Sequence, residues 1–283
     1  MKKILYHLHI MWYETDLVNE TLDSLLLAIN STKNATVDIK ICYNYQTYLE
    51  IPDVTDVKKL FDKVNLHPIF NSSLIDIKIS EKTMHDNFYN IADWRRDNYG
   101  DEYDYYVWGE SDCLVPACFF TNISRIDYLN PHVVSYSQRK MWDESWLEVE
   151  HELLKPIPYD YNMELIKPLG QHYYMSMEEM NNFNSIFPIN VVSLKNVKID
   201  GNMTALSKGL PTPIIPIEMH FIHEDLALQL LLQKNNICQL HFPYQIKVHN
   251  RMHPLKRVYT KTKKETNLYL KYQQESLNCL QKI

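Results

Sequence analysis

The chain has 283 residues, a formal net charge of −6, 45% hydrophobic residues and 23% charged residues. That length suits one large α/β domain or two small ones, and that apolar content can bury a sizeable core, which argues against a disordered chain. The negative balance argues against non-specific nucleic-acid binding by the whole surface and leaves only a local basic patch for it.

Ile4–Met11 reads as the first strand. The stretch MKKILYHLHIMWYE begins like a secretory signal, but it carries His7 and His9, is short, and has no small-residue cleavage site. Val18, Leu22, Leu25, Leu26 and Ile29 then recur on one helical face, with Thr15 or Asp16 placed to cap it. Val37–Tyr43 is the second strand, Val57–Val64 a helix, Leu74–Ile79 the third strand, Met84–Asn98 a helix and Tyr103–Trp108 the fourth strand. Strands that alternate with helices predict a parallel sheet with right-handed crossovers, and ligands at the carboxyl ends of its strands.

Beyond Pro116 the alternation breaks down. Val133–Ser137 and Val191–Ile199 read as strands with longer connections, and an aromatic, polar region holds Trp142, Trp146, Tyr159 and Tyr161. Leu210–Pro216 is proline-rich and leads towards an apolar helix over Glu224–Gln233. After Pro243 a strand, QIKVHN, leads into a basic segment, Asn250–Lys264, and an amphipathic helix closes the chain over about Glu265–Leu280. No internal repeat and no low-complexity tract is present. A single continuous domain is expected over 1–283.

Several absences narrow the chemistry. The five glycines form no G-x-G-x-x-G or P-loop pattern, so a glycine cradle for phosphate is not expected and a metal is the expected holder of a diphosphate. The five cysteines are odd in number, lie in apolar contexts and make no C-x-x-C pair. They read as buried thiols in a reducing, cytoplasmic compartment. No stretch is long enough to span a membrane.

Two acidic constellations stand out. In YDYYVWGESDCLVP, a buried strand runs straight into Glu110 and Asp112, one residue apart, followed by Leu114, Val115 and Pro116. In HEDLALQLLL, Glu224 and Asp225 open the apolar helix. Carboxylates at the end of a buried element are costly unless a cation or a reacting proton uses them. An acidic turn capped by Ser111 at the surface is the plain structural alternative for the first. Acids that complement the helix macrodipole are the alternative for the second.

The order of these features (strand, acidic turn, apolar-apolar-Pro, later Glu-Asp helix start) resembles the GT-A fold glycosyltransferases. The ESD turn is similar to their D-x-D motif, with Glu110 in place of the first Asp. The HED helix start is similar to their x-E-D motif. The resemblance implies an α/β, Rossmann-like, mixed but mainly parallel sheet flanked by helices, with an irregular acceptor side and a C-terminal helical tail. Residues 1–120 would form the nucleotide-sugar-binding half, 121–243 the acceptor and catalytic half, and 244–283 the basic tail.

What the resemblance implies for single residues follows the motifs. Asp112 would ligate Mn²⁺ or Mg²⁺, with Glu110 reaching the ion directly, reaching it through water, or touching the ribose. Asp225 would be the general base of an inverting transfer, and Glu224 would orient the acceptor. A later histidine, His249 in preference to His253, would be a third ligand. Asn44, Arg95, Arg96, Glu110, Ser111, Arg251 and Lys256 would contact the donor, and Arg257 would join the clamp on its diphosphate. Trp142 and Trp146 would stack on an acceptor sugar.

The expected donor is a nucleoside-diphosphate sugar, a UDP-sugar first, and the expected acceptor a glycan hydroxyl. The basic segment keeps open a modified nucleic-acid base as acceptor. Glu110 in place of Asp keeps open a carbohydrate-binding protein whose catalytic site has decayed.

Overall fold

A computed structural model describes residues 1–44, 54–71, 77–82, 102–140, 176–194, 203–210, 228, 230, 232–249, 274–279 and 282. The first part alternates as the hydrophobic pattern requires. Strand β1 spans Lys2–Met11, helix α1 Thr15–Asn30, β2 Ala35–Asn44, α2 Val54–Val64, β3 Ile77–Lys82 and β4 Tyr105–Glu110. There follow α3 over Phe119–Ser124, β5 over His132–Lys140, α4 over Met177–Ile186, β6 over Val192–Leu194, β7 over Ala205–Ser207 and β8 over Cys238–His249.

These strands form one eight-stranded sheet in the order β3-β2-β1-β4-β7-β5-β8-β6. The β3-β2-β1-β4 half is parallel throughout, and β5 with β8 is parallel as well. Strand β7 is antiparallel to both β4 and β5, and β6 is antiparallel to β8. The fold is therefore the mixed, mainly parallel α/β arrangement that the alternation and the resemblance implied.

Strand β1 sits at the centre of the parallel half and is buried on both faces, as central parallel strands are. Ile4, Tyr6, Leu8 and Ile10 face Val18, Leu22, Leu25 and Ala28 of α1, with Val57 and Phe61 of α2. Each fully buried aliphatic side chain there contributes about 1.5–3 kcal/mol. Leu5 belongs to the opposite core, with Tyr106, Trp108, Leu206, Leu228 and Leu232. His7 shares the strand face of Leu5. Its Nδ1 lies 2.5 Å from the Tyr106 hydroxyl, and the two rings are 4.4 Å apart between centroids.

Some element ends differ from the sequence expectation. Strand β4 starts and ends two residues later than expected, because its parallel pairing with β1 runs on to His9 and Glu110. Glu110 is thus the last strand residue and not part of the turn. The N-cap of α1 is Glu14, with no side-chain cap bond, and neither Thr15 nor Asp16 takes that place. The Thr15 hydroxyl instead donates to the Trp12 carbonyl at 3.3 Å. Strand β3 covers Ile77–Lys82, later than the Leu74–Ile79 expected, and residues 72–76 lie outside the described residues. The helix expected over 84–98 also lies outside them, as do residues 195–199 of the strand expected over 191–199. Of the last expected helix, residues 274–279 are described and are helical.

Two helices were not read from the sequence. One is α3. The other, α4, carries a capping box that was legible: the Ser176 hydroxyl accepts from the Glu179 amide at 3.2 Å, and the Glu179 carboxylate accepts from the Ser176 amide at 2.8 Å.

Strand β8 runs through Pro243 and does not begin after it. Its pairing with β5 jumps from Tyr136–Phe242 to Ser137–Ile246, so Pro243, Tyr244 and Gln245 bulge out of the ladder. A proline has no N–H to give, so a bulge is where it fits within a strand. Asn184 of α4 meets the backbone at the far side of this bulge. Its Nδ2 donates to the Ile246 carbonyl at 2.8 Å, and its Oδ1 accepts from the Ile246 amide at 2.7 Å. One amide side chain thus imitates a neighbouring strand. Gln245 Nε2 donates back to the carbonyls of Asn184 and Phe187, both at 3.2 Å.

In the same sheet, the Ser135 hydroxyl lies 2.8 Å from His241 Nδ1. Burial, and then the charge of Lys247, pull the His241 imidazole down to about 4, so it is neutral near pH 7.

The Asn184→Ala variant strips both side-chain bonds from the Ile246 peptide while it is still buried. Unfolding in urea should show a loss of about 2–4 kcal/mol. The exposed Asn182→Ala change on the same helix should stay within about 0.5 kcal/mol.

Candidate metal and donor site

The carboxyl ends of β1, β2, β3 and β4 lie at one edge of the sheet, where open α/β sheets place their ligands. The chain leaves β4 at Glu110 and turns through Ser111, Asp112 and Cys113. This turn is not an exposed surface feature. Ser111 is fully buried and Asp112 is 1% exposed, while Glu110 is half-buried.

Helix α1 holds the turn on one side. The Thr21 hydroxyl donates to the Ser111 carbonyl at 2.7 Å. The Ser24 hydroxyl accepts from the Val115 amide at 3.0 Å and donates to the Thr21 carbonyl at 2.8 Å. The Ser111 hydroxyl donates to the Glu14 carboxylate. On the other side, the Leu114 amide donates to the Val248 carbonyl at 3.0 Å, an antiparallel bridge that ties the turn to β8. With the backbone fixed from both sides, the side chains of Glu110, Asp112 and Cys113 converge. One donor atom from each lies within 4.8 Å of the other two. The Cys113 thiol donates to Asp112 Oδ1 at 3.1 Å.

Beneath this cluster, Tyr6 of β1 crosses Gly109 of β4. A Cβ at position 109 would run into the Tyr6 ring and hydroxyl, so only glycine admits the ring there. The ring is held in turn by Phe120, edge-on with centroids 5.8 Å apart. The Tyr6 hydroxyl is fully buried, and among the described residues it has no hydrogen-bond partner. Burial first, and then the electrostatic influence of Cys113, Glu110 and Asp112, hold its pKa well above the usual phenol value, so it keeps its proton.

The donor set fits a divalent cation. Two carboxylates and a thiol converge at a strand end, and the Asp112 carboxylate among them is buried. Asp112 and Glu110 would be the ligands that the sequence reading named.

The other expected site residues divide into two groups. Asn44 is the last residue of β2 and His249 the last of β8, so the backbone brings the first to the ligand edge and the second next to Val248, which bridges to the turn. The hydroxyl of Ser111, expected to touch the donor, donates to the Glu14 carboxylate. Arg95, Arg96, Trp142, Trp146, Glu224, Asp225, Arg251, His253, Lys256 and Arg257 lie outside the described residues. The helical run behind Asp225 is seen at Leu228, Leu230 and Leu232–Lys234, and Leu228 and Leu232 bury against Tyr106 and Trp108 of β4.

Sequence reasoning missed Glu14, Thr21, Ser24, Cys113 and Tyr6. A signal for two of them existed. Thr21 and Ser24 fall, three residues apart, on the apolar side of α1, where a hydroxyl needs a partner. Met203 was missed as well. It adopts a left-handed backbone (φ 49°), rare for a side chain of its size, and its amide donates to the Trp108 carbonyl just ahead of the acidic residues.

No protein-family model matches the chain, and no curated protein matches it by sequence. Solved structures of similar outline exist. S. aureus TarS 1–349 in complex with UDP matches at 10% identity over 98% of this chain and 70% of that chain, with a TM-score of 0.48. The same protein in complex with UDP-GlcNAc gives 0.43 at the same identity and coverage. Glucosyl-3-phosphoglycerate synthase from Mycobacterium tuberculosis in complex with UDP matches at 11% identity over 96% of this chain and 80% of that chain, with a TM-score of 0.42. At these values the likenesses carry no weight for function. The strand order and the buried acidic turn define the class: a Rossmann-like α/β protein with an acidic turn at the carboxyl end of a central parallel strand.

Gly109→Ala should destabilise the protein by about 1–3 kcal/mol in urea unfolding, because the added methyl overpacks the Tyr6 ring. The same change made in a Tyr6→Leu background should cost clearly less, and equal costs in both backgrounds would show that the two positions are not coupled.

Proposed function

We propose that the chain is a glycosyltransferase of the GT-A type that moves a sugar from a nucleoside diphosphate to a hydroxyl acceptor. The observation that carries this reading is the buried Asp112 carboxylate, converging with Glu110 at the carboxyl end of β4. A uridine nucleotide is the first donor to try, and a saccharide the first acceptor. Mn²⁺ or Mg²⁺ held by Asp112 and Glu110 would offset the charge of the departing diphosphate. The rest falls to the chain itself. Thr21, Ser24 and Glu14 hold the acidic turn rigid, so no reorganisation is needed when the donor arrives.

In this reading Asp225 takes the proton of the acceptor hydroxyl as that oxygen attacks the anomeric carbon from the face opposite the diphosphate. A place at the start of the expected helix would favour the ionised carboxylate that a base requires. The burial of Leu228 and Leu232 against Tyr106 and Trp108 supports a helix start near the β4 turn. Glu224 orients the acceptor, and Trp142 and Trp146 offer it ring faces. Asn44, Arg95, Arg96, Arg251 and Lys256 bind the donor, with His249 near the cation.

Nucleotide binding followed by thermal shift tests the cation half. A donor at a hundredfold excess over its Kd stabilises by about 2.7 kcal/mol. UDP with Mn²⁺ should raise the melting temperature, and EDTA should remove the rise. Asp112→Asn should abolish it and Glu110→Gln weaken it, with both variants still folded. Equal binding of UDP and GDP with EDTA and with Mn²⁺ would refute the cation role.

Sugar transfer tests the base. Asp225→Asn keeps size and capping ability, so stability and donor affinity should survive while the transfer rate falls by roughly 10²–10⁴-fold. A normal rate in this variant would assign Asp225 to helix capping.

A further inference from the structure

The acidic turn carries a third donor that neither the motif nor the charge count called for. We infer that Cys113 is a sulfur ligand of the cation, and that it biases the site towards thiophilic divalent ions such as Co²⁺, Zn²⁺ and Cd²⁺ over Mg²⁺. This inference rests on the cation reading above and adds the identity of a ligand and the class of ion.

Three observations lead to it. First, the Cys113 sulfur and one oxygen each of Glu110 and Asp112 lie within 4.8 Å of one another. A cation with M–O distances of ~2.1 Å and M–S distances of ~2.3 Å needs its donors spaced at this scale. Second, the sulfur has no slack. Cys113 is fully buried, its neighbour Leu114 is bonded to Val248, and its thiol points at Asp112 Oδ1, 3.1 Å away. Without a cation, that thiol proton satisfies the carboxylate. When a cation binds, the proton leaves to solvent, sulfur and oxygen both turn their lone pairs to the ion, and the contact opens slightly.

Third, the Tyr6 hydroxyl is a separate sign of a missing ligand. It is buried, it has no acceptor among the described residues, and it lies against Gly109, the residue just before Glu110. A buried O–H donor without an acceptor is costly, and a water or phosphate oxygen on the ion would supply one. Oxygen-only sites suit Mg²⁺ and Mn²⁺, whereas a thiolate shifts preference towards softer ions.

The experiment titrates Co²⁺ into the full chain in the presence of excess UDP and records the absorption spectrum. A sulfur-to-cobalt charge-transfer band should grow to one equivalent per chain. It should vanish in Cys113→Ser and persist in Cys118→Ser. Co²⁺ affinity in Cys113→Ser should fall by about tenfold or more, while Mn²⁺ affinity, read by electron paramagnetic resonance, should change by less than about threefold. Should the serine variant not fold, Cys113→Ala takes its place, and cadmium NMR on the unaltered protein reads the sulfur donor directly.

An oxygen-only cobalt spectrum, or a band that survives Cys113→Ser, overturns the sulfur ligand. In that event Mn²⁺ binding that depends on Asp112 would leave the cation reading standing. Failure of every ion to bind in the presence of UDP, with Asp112→Asn indistinguishable from the unaltered protein, would remove both.

Discussion

The structure around the site depends on one constraint: a loop that leaves the middle of a parallel sheet must satisfy its own buried backbone. Ser111, Cys113, Leu114 and Val115 are all fully buried, and an open loop there would strand amides and carbonyls away from water. Helix α1 answers with hydroxyls from Thr21 and Ser24, and β8 answers with the Val248 carbonyl. The acidic side chains converge because the backbone that carries them has no freedom left. A catalytic or ligand-holding constellation gains from such support, since side chains set on a slack loop must be ordered at the moment of binding.

The same economy of partners shows under the turn. Strand β1 supplies core to both faces of the sheet, and at Tyr6 it also sends a phenol across to Gly109. The missing side chain at 109 is filled by a ring from the next strand. That couples a core contact in β1 to the position immediately before Glu110. A change in how Tyr6 packs against Phe120 is thereby a change in the floor of the acidic cluster.

At the far end of the sheet, the bulge in β8 illustrates how irregular backbone persists inside a fold. Pro243 cannot donate to a ladder, so β8 and β5 part for three residues. Asn184 restores both bonds of the Ile246 peptide with one side chain, and Gln245 returns bonds to the end of α4. Helix and strand are thus locked to each other by polar contacts. They hold Val248 where it can bridge to Leu114.

By itself, the sequence determined the elements with strong periodicity. The α1 stripe, strands β1, β2 and β4, and the buried strand running into Glu110 and Asp112 are legible because burial on a regular helix or strand writes itself as a repeat. The parallel β3-β2-β1-β4 half follows from alternation. Tertiary structure decided the rest. Strand β4 ends at Glu110 because β1 continues beside it, and no local residue states this. Cys113 joins the acids only through a turn pinned by residues about ninety positions earlier and well over a hundred positions later. Thr21 and Ser24 lie on the buried side of α1, and it is the distant turn that uses their hydroxyls. Glu14, read only as part of the opening stretch, becomes the acceptor for Ser111. Contacts between residues distant in sequence leave no period behind, so the chain could announce an acidic turn at a strand end but not the hydroxyls, the sulfur and the buried phenol that surround it.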